Sequence, residues 1–225
     1  TLLGITYSGV EAFDGAGGID TVDGTTGDDT FTLTGNESAI GVGGFAFTDI
    51  EFFVGNGGID TVVGTAGNEL VSINGLNGAT LLGITYSGVE AFDGAGGIDT
   101  VDGTTGDDTF TLTGNESAIG VGGFAFTDIE FFVGNGGIDT VVGTAGNDVF
   151  SVVGIDEVVV LGVTATSSEN LQGGNGDDQF EFNAVSASLA GFINGGAGTN
   201  TLRGRLGSSD LFVVNAVAGG SASGT

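Results

Sequence analysis

The chain contains no proline, cysteine, methionine, tryptophan or histidine, and its only basic residues are two arginines, set against 29 acids in 225 residues. Without cysteine there is no disulfide scaffold and no thiol chemistry. Without histidine or lysine the usual general bases and amine nucleophiles are missing. A formal charge of -27 repels the phosphate backbones that Lys and Arg contact, which excludes nucleic acid as a partner. No run approaches the roughly 18 apolar residues of a membrane span, so membrane insertion is not expected. The opening residues show no basic leader region, and the chain reads as a mature piece of something larger. The partners left open by this composition are cations.

What is abundant is glycine, 48 residues, and a 40% apolar content that includes 17 phenylalanines. That is enough apolar surface to build a core and argues against disorder. Thr1–Asn68 and Thr80–Asn147 are the same 68 residues at an offset of 79, the mark of a repeat protein. Within each block Gly15-Ala-Gly-Gly-Ile-Asp-Thr-Val returns as Gly55-Asn-Gly-Gly-Ile-Asp-Thr-Val, and looser copies start at Gly173 and Gly195. The 22-residue step between the last two suggests a coil of about 20 residues. Thr30-Phe31-Thr32-Leu33-Thr34 alternates with period two, and no window holds a helical period. Short strands, glycine turns and a fixed period predict an all-β parallel solenoid, a β-helix or β-roll, right-handed by the usual crossover preference.

Roughly eleven coils at the spacing of β-strands give a rod on the order of 50 Å long. The expected organisation is one block over 1–79, a second over 80–147, divergent and capping coils over 148–214, and a flexible tail at 215–225. Phe45–Val54 carries a charge in its middle and is expected to bend or bulge there, and such a bulge is expected to bury both members of the pairs Phe52-Phe53 and Phe131-Phe132. Arg203 and Arg205 are expected to meet acids on a neighbouring coil or subunit. Exposed ends built from identical repeats predict end-to-end association with another copy or with neighbouring repeats.

Read in nines, Gly15 opens G-A-G-G-I-D-T-V-D and Gly24 opens G-T-T-G-D-D-T-F-T; the series continues at Gly55, Gly94, Gly103, Gly134, Gly143 and Gly173. These fit G-G-x-G-x-D-x-U-x, U being large and apolar, mostly apart from the second position. On these residues the chain resembles the RTX, or haemolysin-type calcium-binding, repeat family of secreted bacterial toxins, enzymes and giant adhesins. The resemblance implies Ca²⁺, held by turn carbonyls and by the sixth-position carboxylates of Asp20, Asp29, Asp60, Asp99, Asp108, Asp139, Asp148 and Asp178. Oxygen-only ligation with charge suits Ca²⁺ better than Mg²⁺. The same Asp residues also fit a plain turn role, accepting hydrogen bonds from turn amides. Glu69 and Asn200 stand where the pattern asks for Asp, and about 22 residues without a nonapeptide interrupt each pair, which puts stacked half-sites in doubt.

The resemblance implies a secreted, cell-surface or extracellular structural segment: a stiff, calcium-associated adhesin stalk, spacer or fibre; the lack of His, Cys and Lys argues against an enzyme. An ice- or polysaccharide-binding solenoid is the alternative reading, on the threonine loops at Thr25 and Thr65. A β-helix polysaccharide lyase or hydrolase is a third. Its carboxylate pairs, Asp49 with Glu51 and Asp28 with Asp29, recur as Asp128 with Glu130 and Asp107 with Asp108, as repeated architecture requires and a single active site does not.

Overall fold

The computed structural model describes residues 8–205 and 209–210; the tail expected at 215–225 lies outside them. The described chain is a β-solenoid of two facing 12-stranded sheets. It runs through β1 (Ala12–Asp14), β2 (Thr21–Asp23), β3 (Thr30–Gly35), β4 (Ser38–Gly41), β5 (Phe45–Thr48), β6 (Phe52–Val54), β7 (Thr61–Val63) and β8 (Leu70–Gly75). It continues through β9 (Gly78–Leu81), β10 (Ile84–Ser87), β11 (Ala91–Asp93), β12 (Thr100–Asp102), β13 (Thr109–Gly114), β14 (Ser117–Gly120), β15 (Ala125–Thr127) and β16 (Phe131–Val133). The last strands are β17 (Thr140–Val142), β18 (Val149–Gly154), β19 (Glu157–Val160), β20 (Val163–Thr166), β21 (Asn170–Gln172), β22 (Gln179–Phe182), β23 (Ile193–Asn194) and β24 (Thr201–Arg203).

One nonapeptide makes one half-coil, so the chain alternates between sheets: β1 in the first, β2 in the second, β3 in the first. The interrupting residues do not break this alternation. They form three-stranded antiparallel meanders inside one sheet, β3-β4-β5 and then β8-β9-β10 in the opposite sheet, repeated as β13-β14-β15 and β18-β19-β20. Three is the number that works: an odd count returns the chain to the edge where a single strand would have left it. The meander then folds back, so that β5 pairs with β1 while β3 pairs with β7.

The coil is therefore longer than the 20 residues read from the sequence. There are about six turns roughly 31 residues apart, and only the last rungs, Leu171 against Ile193 and Gln179 against Thr201, step by 22. Twelve rungs at strand spacing still make a rod on the order of 50 Å, because the meanders add rungs where coils are fewer.

Like residues stack along the axis. Phe13 lies on Phe47, Phe53 on Tyr86, Phe92 on Phe126 and Phe150 on Phe180, with near-parallel rings 5.7, 5.9, 6.3 and 4.7 Å apart, while Phe31 and Phe110 reach across to Phe53 and Phe132. The expectation for the Phe pairs fails. Phe53 and Phe132 are buried, but Phe52 and Phe131 are 37% and 36% exposed, because β6 and β16 keep strict alternation without a bulge. The bulges sit instead at the first hairpin of each meander, as between Leu33 and Gly35. The bend within Phe45–Val54 is real: Asp49, at φ 54°, turns the chain from one sheet to the other. Arg203 meets Glu181 of the neighbouring rung at 2.7 Å, and Arg205 pairs with Asp210.

Candidate functional site

The meanders bring the paired nonapeptide turns back into stacks, which the interrupted sequence had put in doubt. Turn 24–29 lies under 55–60, 64–69 under 94–99, 103–108 under 134–139, and 143–148 under 173–178, with 195–200 added above the last. The fifth residue of each lower turn joins it to the turn above. Asp28, Asn68, Asp107 and Asn147 accept the N–H of Ile59, Ile98, Ile138 and Asp177 at 2.8–3.0 Å, and Asp177 in turn accepts that of Thr199 at 2.7 Å.

The sixth-position carboxylates divide into two kinds. In the lower turns both oxygens are engaged locally. Asp29, Glu69, Asp108 and Asp148 accept the N–H of the threonine four residues back (Thr25, Thr65, Thr104, Thr144) at 2.6–3.0 Å, and the same threonine's hydroxyl donates to the carboxylate. Glu69 makes the same lock as its Asp counterparts, so that departure from the pattern changes nothing in the turn. These threonine hydroxyls are engaged within their own turns.

In the upper turns Asp60, Asp99, Asp139 and Asp178 use Oδ1 to accept the N–H of the lower carboxylate residue, at 2.7, 2.7, 2.7 and 2.9 Å. Their Oδ2 atoms, like that of Asp20, are buried without a hydrogen-bond partner. Each of these four residues is at most 1% exposed. A carboxylate oxygen buried unpaired is costly, and it is repeated here along both edges of the rod.

The free oxygen has a defined surrounding. Each upper turn opens on a glycine, and a Cβ on Gly94 would collide with the Asp128 carbonyl oxygen and come within 2.5 Å of Asp99 Oδ2. Gly55 stands in the same relation to the Gly88 carbonyl and Asp60, and Gly134 to the Ser167 carbonyl and Asp139. Here glycine serves close approach, with carbonyl and carboxylate oxygens facing one narrow space.

Burial raises the acids in these stacks. Asp99 and Asp139 are pushed up to about 6, first by desolvation and then by the neighbouring carboxylates of Glu69 with Glu130 and of Asp108 with Glu169, against the lowering effect of the backbone hydrogen bond each accepts. Asp60 and Asp178 are raised for the same leading reason. A carboxyl whose pKa is higher folded than unfolded binds protons more tightly in the native state. It therefore stabilises the fold at low pH and loses that contribution as pH rises from about 4 to about 6. Denaturant titration in EDTA should show stability falling between pH 4.5 and 6.5 and then levelling; a rise over that window would contradict the buried placement of these acids.

Sequence reasoning missed the corner glutamates. Glu51, Glu90, Glu130 and Glu169 accept the N–H of Asp20, Asp60, Asp99 and Asp139 at 2.6–2.9 Å. Their signal was a Glu 30 or 31 residues after each of those Asp residues. Asn200 fills that place for Asp178 at 2.8 Å.

The donor set is hard oxygen throughout, with one buried carboxylate oxygen free in each upper turn, and so fits Ca²⁺. Among the described residues no three acidic groups converge closely enough to hold a metal ion by themselves, so turn carbonyls would complete any coordination. No helix among the described residues is long and apolar enough to cross a membrane. A family model described as RTX calcium-binding nonapeptide repeat (4 copies) matches residues 14–37, 47–72, 93–116, 127–151 and 192–211, just over half of the chain. The nonapeptide at Gly173 falls outside those segments. No curated protein and no solved structure matches the chain.

Proposed function

Because this chain belongs to the RTX calcium-binding nonapeptide repeat family, whose repeats bind calcium and whose proteins are generally secreted, we propose that it is a stiff structural segment of a bacterial cell-surface or extracellular adhesin or fibre. In this reading Ca²⁺ ties the stacked turns together along both edges. The observation that carries it is the pairing of glycine turns across rungs, each upper turn holding a buried carboxylate oxygen with no partner. Calcium would be held by Asp60, Asp99, Asp139 and Asp178 with turn carbonyls. Asp29, Asp108 and Asp148 act as turn locks, since the threonines already occupy them. Asp20 has the free oxygen but no lower nonapeptide turn among the described residues. When bound, the ion supplies positive charge that offsets the self-repulsion of 29 acids.

End-to-end association of like blocks is part of the same proposal. β11 and β12 have the sequences of β1 and β2, and they pair in the interior with β7 and β8. A neighbouring repeat or second copy that offers strands of the β7 and β8 type would fit β1 and β2 in the same register. Catalysis forms no part of the reading, as repeats of this family are typically structural or toxin repeats.

Among the described residues four turn-on-turn contacts offer a buried carboxylate oxygen with no partner, at Asp60, Asp99, Asp139 and Asp178, whereas in the fifth, 173–178 with 195–200, Asn200 stands in the carboxylate's place. Calorimetric titration of chelated protein with CaCl₂ should saturate at four ions per chain. Eight ions, one per nonapeptide, or none at millimolar calcium would overturn the reading.

A further inference from the structure

Turns 15–20, 55–60, 94–99 and 134–139 are each covered on one side by a tight corner of three residues, and the four corners share one construction, whereas turn 173–178 is covered by turn 195–200. A residue with positive φ comes first: Asp49, Gly88, Asp128 or Ser167, at 54°, 62°, 52° and 52°. A buried residue follows, Ile50, Val89, Ile129 or Ser168, and then the glutamate. The first residue's carbonyl oxygen faces the opening glycine of the turn beside the free Asp Oδ2. The glutamate's Oε2 takes that same Asp's N–H. At Asp60, Asp99 and Asp139 the corner thus grips the aspartate at its backbone while the lower turn grips Oδ1, leaving Oδ2 as the unengaged carboxylate oxygen.

We infer that Glu90, Glu130 and Glu169 are positioning residues for calcium: each fixes the backbone of the upper-turn aspartate so that its carboxylate stays oriented, without itself joining the ion. The inference rests on the calcium reading above. Its physical basis is that the Asp N–H is held on one side only by this carboxylate. Removing the acceptor would strand a buried donor and let the turn rotate, whereas Gln keeps an acceptor oxygen at the same reach. None of these glutamates lies within a nonapeptide, so they are outside the G-G-x-G-x-D-x-U-x pattern. The corner also accounts for the length of each carboxylate ladder. The sequences Asp29, Asp60, Glu90 and Asp108, Asp139, Glu169 stop at the third rung because the next connection is a meander tip: Gly88 N–H donates to the Asn77 carbonyl, Asn77 Nδ2 donates to Glu90 Oε1 at 3.1 Å, and Ser168 N–H donates to the Asp156 carbonyl.

The test compares the full chain with two variants, one changing Glu90, Glu130 and Glu169 to Gln and the other changing them to Ala. Calcium affinity and stoichiometry are read by titration with CaCl₂, and folding by circular dichroism in EDTA. The Gln variant should bind calcium within about threefold of the parent. The Ala variant should lose at least tenfold in affinity at the sites beneath those corners while remaining β-structured. Equal affinity of the Ala variant and the parent would overturn the inference, and so would equal losses in both variants, which would mark the charge and not the acceptor as what matters. Should the triple Ala variant fail to fold, Glu90→Ala alone supplies the same comparison through one weakened site among four. Failure of the parent to bind calcium would instead remove the calcium reading itself.

Discussion

Calcium added to the chelated protein at pH 7 should raise its melting temperature by more than about 20 °C. A ligand that binds only the folded state at a hundred times its Kd contributes about 2.7 kcal/mol per site, so four sites contribute about 11 kcal/mol. For a chain of this size each kcal/mol moves the midpoint by about 2–4 °C. The effect is large because what the ion relieves is already present in the apo fold: free carboxylate oxygens at Asp60, Asp99, Asp139 and Asp178, in a chain of formal charge -27. Changing Asp60, Asp99 and Asp139 together to Asn should remove most of the calcium response. Asp108→Asn should behave differently, because the Thr104 N–H and hydroxyl already engage that carboxylate. It should lower the midpoint by similar amounts with and without calcium. Thermal scans monitored by circular dichroism decide it, and a shift below about 2 °C on adding calcium would remove the ion from the account of stability.

The two kinds of aspartate could not be separated by reading the sequence, although both motifs were visible there. Asp29 and Asp60 occupy the same sixth position, and what distinguishes them is a threonine at the second position of one turn and an asparagine in the other. That difference acquires meaning only once the turns are stacked. Period-two strands, glycine turns and the 79-residue identity were enough for a parallel solenoid with phenylalanine stacked on phenylalanine. The coil length was not legible, because it depends on whether the interrupting residues extend the coil or fold back within one sheet. Alternation in Ser38–Gly41 and Phe45–Thr48 looks the same in either case. The hairpins are set by backbone conformation at tips such as Leu82-Gly83, both at positive φ (49° and 82°), a primed-turn geometry in which leucine gives no compositional signal. The corner glutamates were hidden for a related reason. Glu90 and Asp60 are 30 residues apart, and only the meander makes that separation one rung.

Two glycines in one turn provide the sharpest check on the stacking. At Gly94 φ lies outside the left-handed region, yet a Cβ would meet the Asp128 carbonyl and Asp99 Oδ2; at Gly96 the nearest atom is the Ala66 Cα at 4.0 Å. The first obstacle is backbone from the next rung and cannot swing aside. Gly94→Ala should therefore cost about 3 kcal/mol, a fall of roughly 6–12 °C in the melting midpoint. Gly96→Ala meets open space, and by narrowing the unfolded ensemble it should gain about 0.4–1 kcal/mol. Sequence pattern alone ranks them the other way as readily, since both are glycines of one loop. Similar midpoints for the two variants would mean that the corner at Asp128 does not press on this turn. The grip of Glu130 on Asp99, and the orientation of the carboxylate offered to calcium, would then lose their structural basis together.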